Sequence, residues 1–235
     1  FDGNVELDSL LADLKGNTRI LNNENLAVEV IEDKDWERSW MEDFKPMQFG
    51  EKLWILPSWE IPPDPTAANL MLDPGLAFGS GTHTTTSLCL RWLEKSAIDT
   101  KEVIDYGCGS GVLAIAAALL GAKKVHAVDN DPQAIAATLD NSYRNNIAEG
   151  IITAYLPEAL PELSSDILIA NILAEPLIDL SLKFAGLVKP GGQIVLSGIL
   201  EEQATSLLSC YKRSFDLDSP IIENEWVLIT GTRKA

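Results

Sequence analysis

The chain has 235 residues, enough for one large α/β domain or a domain with a smaller appendage. Its net charge of −17 argues against a nucleic-acid backbone as main partner, because phosphate binding needs clustered Lys and Arg. No apolar run reaches the roughly 18 residues of a membrane span, and three cysteines of unrelated spacing with two histidines suggest neither a disulfide framework nor a metal centre, so a reducing cytoplasm is expected.

The chain opens on Phe1 rather than Met, and we expect the natural N-terminus to lie upstream. Residues 1 to 34 read as a helix (Val5 to Leu14), a loop through Gly16-Asn17 and a strand (Leu26 to Ile31), too little to bury a core alone. Asp35 to Phe44 reads as an amphipathic helix with Trp36 and Trp40 on one face, stopped by Pro46. Strand-like runs follow at Met47 to Phe49 and Leu53 to Leu56, then a proline-rich loop, then Leu70 to Leu72. In the segment Phe78-Gly79-Ser80-Gly81-Thr82-His83, glycines permit close approach of a ligand and hydroxyls can bind one end of it; equally, this is an ordinary loop with threonine caps. Thr82, Thr84 and Thr85 are candidate caps for a helix carrying Leu88, Leu90, Trp92 and Leu93.

The segment from Glu102 to Asp131 is the most informative. A buried strand ends at Asp105, glycines stand at 107, 109 and 111, an apolar helix runs from Val112 to Leu120, and a second buried strand ends at Asp129. Such a turn lets a ligand approach the backbone, and an acid ending the next strand can accept hydrogen bonds from two ribose hydroxyls. The spacing is G-x-G-x-G, with Val112 where a dinucleotide fingerprint wants its third glycine. No Arg or Lys lies between Ile104 and Ala122 to hold a phosphate, and Asp105 would repel one. A carboxylate there suits a ligand with an ammonium and a sulfonium, which points to S-adenosylmethionine held by Asp105, Gly107, Gly109 and Asp129.

Beyond the turn, Pro132 starts a helix that runs to about Asn145. Strands at Ile151 to Leu156, Asp166 to Ile172 and Gln193 to Ile199 alternate with helices at Pro176 to Leu187 and Glu201 to Ser214. Ile221-Ile222 and Trp226 to Thr232 read as a terminal hairpin. The expected fold class is α/β: a mostly parallel sheet covered on both faces, with an antiparallel hairpin at one edge. Asn171 ends the strand DILIAN, where its amide oxygen could orient an attacking amine and its NH2 could donate to the ligand; a lone Asn there is also a common turn residue or cap. Ser197-Gly198-Ile199 reads as a turn rather than a catalytic element.

Taken together, LDPGLAFGSGTHTTTSLCLRWL, VIDYGCGSGVLAIAAALLGAKKV, VDNDPQAI, ANILAEPL, SGIL and EWVLITG resemble, in order, successive blocks of the PrmA-type ribosomal protein L11 methyltransferases. The resemblance runs from about Asp33 to the C-terminus. It implies a class I methyltransferase sheet of Rossmann-like build using S-adenosylmethionine, with contacts carried by Thr86, Gly107, Asp129 and Asn171, and with Phe78 and Gly81 in the loop before the first helix. It implies a ribosomal protein as partner. Asn171 is the expected catalytic residue, as acceptor for the incoming amine, and the counts of histidine and cysteine lead us to expect no metal and a cytoplasmic location. Asn171-Ile172-Leu173 stands where many amino-group methyltransferases carry Asn-Pro-Pro-Tyr, which favours this family over glutamine or adenine methyltransferases. Thr84, Tyr106 and Asn130 depart mildly from the family's usual residues. By the same resemblance, residues 1–34 are the last portion of an α+β substrate-recognition domain, 35–45 a linker helix and 46–235 the methyltransferase domain. His83 is expected to stabilise its loop rather than act as a base. The competing readings are a class I N-methyltransferase acting on a small molecule or another protein, and a non-enzymatic nucleoside-binding domain.

Overall fold

The computed structural model describes residues 44–73 and 83–235, which belong to one unit, Phe44–Ala235. The expected elements before residue 44 and the boundary at 34 lie outside the described residues, as does the expected linker apart from Phe44 and Lys45.

Strand formation follows the apolar runs closely. β1 (Met47–Phe49), β2 (Leu53–Leu56) and β3 (Ala68–Met71) make a small three-stranded sheet, antiparallel between β1 and β2 and parallel between β2 and β3. β3 lies two residues upstream of the expected Leu70 start, because Ala68 already pairs with Leu53. The larger sheet takes β4 (Glu102–Tyr106), β5 (Lys124–Val128), β6 (Ile152–Tyr155), β7 (Ser165–Asn171), β8 (Val188–Leu200), β9 (Phe215–Leu217), β10 (Ile221–Glu223) and β11 (Trp226–Arg233). Its order is β10-β11-β8-β7-β4-β5-β6, with β9 also paired to β11. β4 to β8 pair in parallel, and β11 pairs antiparallel with β8, β9 and β10. The mostly parallel sheet with its terminal hairpin is therefore the one the alternation of strands and helices predicts.

Successive strand residues serve opposite cores, which explains why these strands are apolar throughout. Val103, Val125, Ala127, Ile167 and Ile169 face one cluster with the helices α1 (Thr84–Lys95) and α2 (Val112–Leu119) and with the small sheet. Ile104, Val128, Leu168 and Ala170 face the other, with α4 (Ala174–Asp179), α5 (Ser181–Leu187) and α6 (Glu201–Tyr211). α3 (Pro132–Arg144) starts on Asp131, whose side chain accepts from the Gln133 N–H, with Pro132 at the first position where no N–H is required.

Four expectations are corrected. The single helix expected over Pro176 to Leu187 is two, α4 ending at Asp179 and α5 starting at Ser181, with a turn at Leu180 (φ −83°, ψ −1°) between them. α6 ends at Tyr211 rather than Ser214, and Phe215–Leu217 is a strand pairing with β11. Ser197-Gly198-Ile199 lies within β8, not in a turn after it. β8 also begins earlier than Gln193: Ser165 pairs with Val188 and Ile167 with Gln193, so the intervening KPGG bulges out of the ladder.

One buried amide fastens the small sheet to the large unit. Asn145 donates from Nδ2 to the carbonyls of Met71 and Asn141, each at 2.8 Å, and accepts the Met71 N–H at 2.7 Å. Asn145→Ala leaves these backbone groups unpaired in a buried place. We expect a loss of about 1–3 kcal/mol in urea unfolding, with the midpoint falling and the slope unchanged.

Candidate active site

In the large sheet, β4 is flanked by β5 on one side and β7 on the other, so the strand order reverses beside β4. A crevice opens outside the C-terminal ends of the strands at such a point. Four of the sequence-predicted residues sit there: the Gly107 turn after β4, Asp129 after β5, Asn171 ending β7, and Thr86 in the first turn of α1.

The turn is built from left-handed backbone. Gly107, Gly109 and Gly111 have φ of +86°, +53° and +80°. Gly111 caps α2 without a side chain, and a Cβ there would stand 2.9 Å from Thr138 Cγ2. Gly111→Ala is expected to cost about 1–3 kcal/mol, through the φ and the clash together, and thermal unfolding of the variant checks it. The backbone N–H and C=O groups of the turn are held from outside. Val128 O accepts the N–H groups of Gly107 (2.7 Å) and Cys108 (3.1 Å). Thr138, fully buried on α3, donates to Gly109 O at 3.1 Å, and Asn141 donates to Ser110 O at 2.9 Å. These two α3 residues escaped the sequence reading; the signal was polar side chains among the apolar positions facing the sheet.

Asp129 is half-buried, and its carboxylate accepts the Gly109 N–H on Oδ2 (2.9 Å) and the Asp131 N–H on Oδ1 (3.0 Å). Two backbone donors thus orient it at the strand end, and its remaining lone pairs can accept ribose hydroxyls. Asp105 is a different kind of acid. It is 1% exposed and lies beneath the turn rather than on its surface. Oδ2 accepts the Ala114 N–H at 2.9 Å in the first turn of α2, whose N-terminal dipole favours a negative group. Oδ1 is buried and has no hydrogen-bond partner among the described residues. Burial raises its pKa to about 7; the Ala114 hydrogen bond opposes this and the nearby Asp129 charge adds to it. The neighbouring Cys108 thiol is pushed up to about 12, mainly by burial, and donates no chemistry at neutral pH.

On the other side of the crevice, Asn171 Nδ2 donates to Thr86 Oγ1 at 3.2 Å. Thr86 is 3% exposed, so this hydroxyl is anchored in the core, and the bond uses the Asn171 NH2 and leaves Oδ1 as the amide's acceptor. Sequence reasoning named both residues separately, and the structure brings them together. His83 caps α1, accepting the Thr85 N–H on Nδ1 at 3.3 Å and lying edge-on to Trp226 at 4.7 Å. The cap is thus His83 rather than the expected threonines, a structural use in line with the expectation for it. Phe78 and Gly81 lie outside the described residues. The chain enters that segment from Asp73, whose carboxylate accepts the Ser58 N–H at 2.7 Å and pairs with Arg144 at 3.6 Å. Lys183 donates to Tyr106 Oη at 3.1 Å beneath the turn, a contact nothing in the sequence pattern announced.

The residues present fit S-adenosylmethionine on structural grounds. Among the described residues Asp105 Oδ1 is a buried acceptor with no partner, beneath a turn of left-handed glycines that itself contains no Arg or Lys, and two further strand ends offer Asp129 and the Asn171–Thr86 pair. Among the described residues, no group of three His, Cys, Asp or Glu side chains could hold a metal ion.

Comparison with known proteins finds relatives over nearly the whole chain. The family described as Ribosomal protein L11 methyltransferase (PrmA) matches residues 1–234. A ribosomal protein L11 methyltransferase of Marinobacter nauticus is 51% identical over 237 residues, covering 100% of this chain and 80% of its own length. One from Pseudomonas fluorescens (strain Pf0-1) is 53% identical over 234 residues, again covering 100% of this chain and 80% of the relative. The crystal structure of a ribosomal protein L11 methylase from Lactobacillus delbrueckii subsp. bulgaricus superposes with a TM-score of 0.74 at 33% identity, covering 82% of this chain and 100% of that one.

Proposed function

The chain belongs to the ribosomal protein L11 methyltransferase family, and from that premise we propose that it transfers methyl groups from S-adenosylmethionine to amino groups of ribosomal protein L11. Lysine ε-amines are the first candidates and the N-terminal α-amine the second. The observation that carries the reading is the Asn171 amide, fixed by Thr86 at 3.2 Å beside a glycine turn that is itself tied to Asp129.

When bound, S-adenosylmethionine supplies an electrophilic methyl carbon for in-line displacement by the amine. The chain's own part is to place the reactants and keep water away. Gly107 and Gly109 give backbone access, Asp129 takes the ribose, and Thr86 with Asn171 flanks the methionine end. Asn171 Oδ1 accepts a hydrogen from the incoming amine and so points its lone pair at the methyl group. That amine has to arrive neutral, because an ammonium with a pKa near roughly 10.4 has no lone pair to give. Among the described residues no free general base faces the site: His83 Nδ1 is committed to the α1 cap and Asp105 is buried. The proton therefore leaves to water. The net charge of −17 suits a basic protein substrate.

We assign residues 46–235 to the methyltransferase domain, 1–34 to substrate recognition and 35–45 to the link between them. The same reading places the protein in the cytoplasm, in keeping with three free cysteines, Cys89, Cys108 and Cys210. No helix among the described residues is long and apolar enough to cross a membrane. The test is incubation with methyl-labelled cofactor and purified ribosomal protein L11, followed by mass mapping of the modified amines. Label on L11 lysines is the expected result. Label confined to a small molecule in a crude extract would instead favour the alternative class I N-methyltransferase.

A further inference from the structure

Asn171 is the last residue of β7 in the ladder, where it pairs with Ser197 of β8. The backbone beyond it has no further rung to fix its direction, yet that direction sets where the Asn171 amide points. Ile172 occupies this place, and a glycine stands beside it on either side, Gly107 in the turn after β4 and Gly198 in β8. A Cβ on Gly107 would stand 2.1 Å from Ile172 Cγ2. A Cβ on Gly198 would stand 2.4 Å from Ile172 O, 2.8 Å from its carbonyl carbon and 2.9 Å from its nitrogen. None of these distances is open to a real Cβ. Ile172 is therefore seated by its side chain against the cofactor turn and by its backbone against β8. β8 is rigid there: Ser197 is fully buried and donates to Val227 O at 2.9 Å.

We propose that Ile172, seated between Gly107 and Gly198, is a positioning residue that sets the direction of the Asn171 amide and registers it against the cofactor turn. The proposal rests on the function given above and adds to it a residue that touches neither amine nor methyl group. Near the end of a strand, a displacement of about 1 Å in a group that orients a reactant costs on the order of 100-fold in rate. The requirement is one of shape rather than hydrophobicity. The contact at Gly107 is made by Cγ2, the methyl that only a β-branched side chain places there. Valine keeps that methyl. Leucine has the volume of isoleucine but moves the branch one carbon outward, and alanine removes it.

The experiment compares Ile172→Val, Ile172→Leu and Ile172→Ala in the full chain, with Gly198→Ala as the backbone counterpart. Three readouts are taken: kcat and KM on ribosomal protein L11, the affinity for S-adenosylhomocysteine by calorimetry, and the Asn171 side-chain NH2 resonances, assigned by their absence in Asn171→Ala. Ile172→Val is expected within about threefold of the parent in kcat. Ile172→Leu and Ile172→Ala are expected to lose roughly 10- to 100-fold in kcat, with KM for the ribosomal protein moving less than about threefold and S-adenosylhomocysteine affinity falling by a smaller factor than kcat. Their Asn171 NH2 signals should shift or broaden, while those of Ile172→Val stay in place. Gly198→Ala should behave like the leucine variant; the Ile172 series leaves every backbone position unaltered and decides the matter even if Gly198→Ala does not fold. A leucine variant as active as the valine one, or Asn171 resonances indifferent to all three changes, overturns the proposal. A parent protein inactive on L11 would retire the functional reading, while the NH2 resonances would still decide whether Ile172 positions Asn171.

Discussion

Asn171→Ala is expected to lower turnover on ribosomal protein L11 by roughly 100- to 1,000-fold, the loss typical of removing one oriented hydrogen-bonding group from a reacting centre. Folding is expected to survive it. The side chain is half-buried at a strand end, and among the described residues it makes one hydrogen bond, to Thr86, so its removal costs about 1 kcal/mol. The contrast between a large kinetic loss and a small stability loss is the signature of a placed functional group. Thr86→Val separates the amide from its anchor: the valine fills the same space without the hydroxyl, Asn171 remains but turns freely, and an intermediate loss of about tenfold is expected. If the two residues act as a unit, the double variant loses little more than Asn171→Ala alone. Steady-state kinetics with mass detection of the methylated product, together with urea unfolding of each variant, check all three statements. Full activity of Asn171→Ala on the ribosomal substrate removes Asn171 from the mechanism.

The sheet was legible because a parallel strand buried on both faces has to be apolar at every position, and runs such as VIDY and DILIAN have few other uses. The turn was legible because three glycines with positive φ and two acids at fixed offsets leave little room for a different local structure. What remained hidden has a common physical origin: it depends on partners far away in sequence. Leu180 carries no breaker, so nothing local marks the joint between α4 and α5. Phe215–Leu217 is too short to show a period, and it is a strand because β11 offers it an edge. Thr138 and Asn141 are ordinary helix residues until α3 lies against the turn they hold. Gly198 looked like a turn residue, since the sequence cannot show that the Ile172 backbone passes within van der Waals distance of it. The catalytic and cofactor candidates were read as separate single residues. The Asn171–Thr86 bond, which spans 85 positions, makes them one site.

Cofactor affinity is expected to tighten by up to tenfold per pH unit as the pH rises from about 5.5 towards 7, to level off above it, and to lose this dependence in Asp105→Asn. The cause is the burial of Asp105, which lifts its pKa from the ordinary 3.8 to about 7 in the folded chain. Below that value the folded protein carries a proton that the unfolded chain has already released near pH 4. Its contribution to stability is therefore fully present below about pH 4 and is lost as the pH rises through about 7, at no more than about 1.4 kcal/mol per unit. A sulfonium and an ammonium resting on the turn above reverse the balance, because positive charge close to the carboxyl favours its ionised form. Binding below pH 7 then expels the proton, and affinity follows pH for that reason. Calorimetry at pH 6 in two buffers of different ionisation enthalpy counts the protons directly: close to one released by the parent and close to none by Asp105→Asn. Asp129 gives a control, since its charge is one of the causes holding the Asp105 pKa up. Asp129→Asn should weaken binding through the lost ribose acceptor and also move the levelling-off point to lower pH. Equal proton counts in the parent and in Asp105→Asn would mean that the buried carboxyl supports α2 alone and does not sense the charge above it.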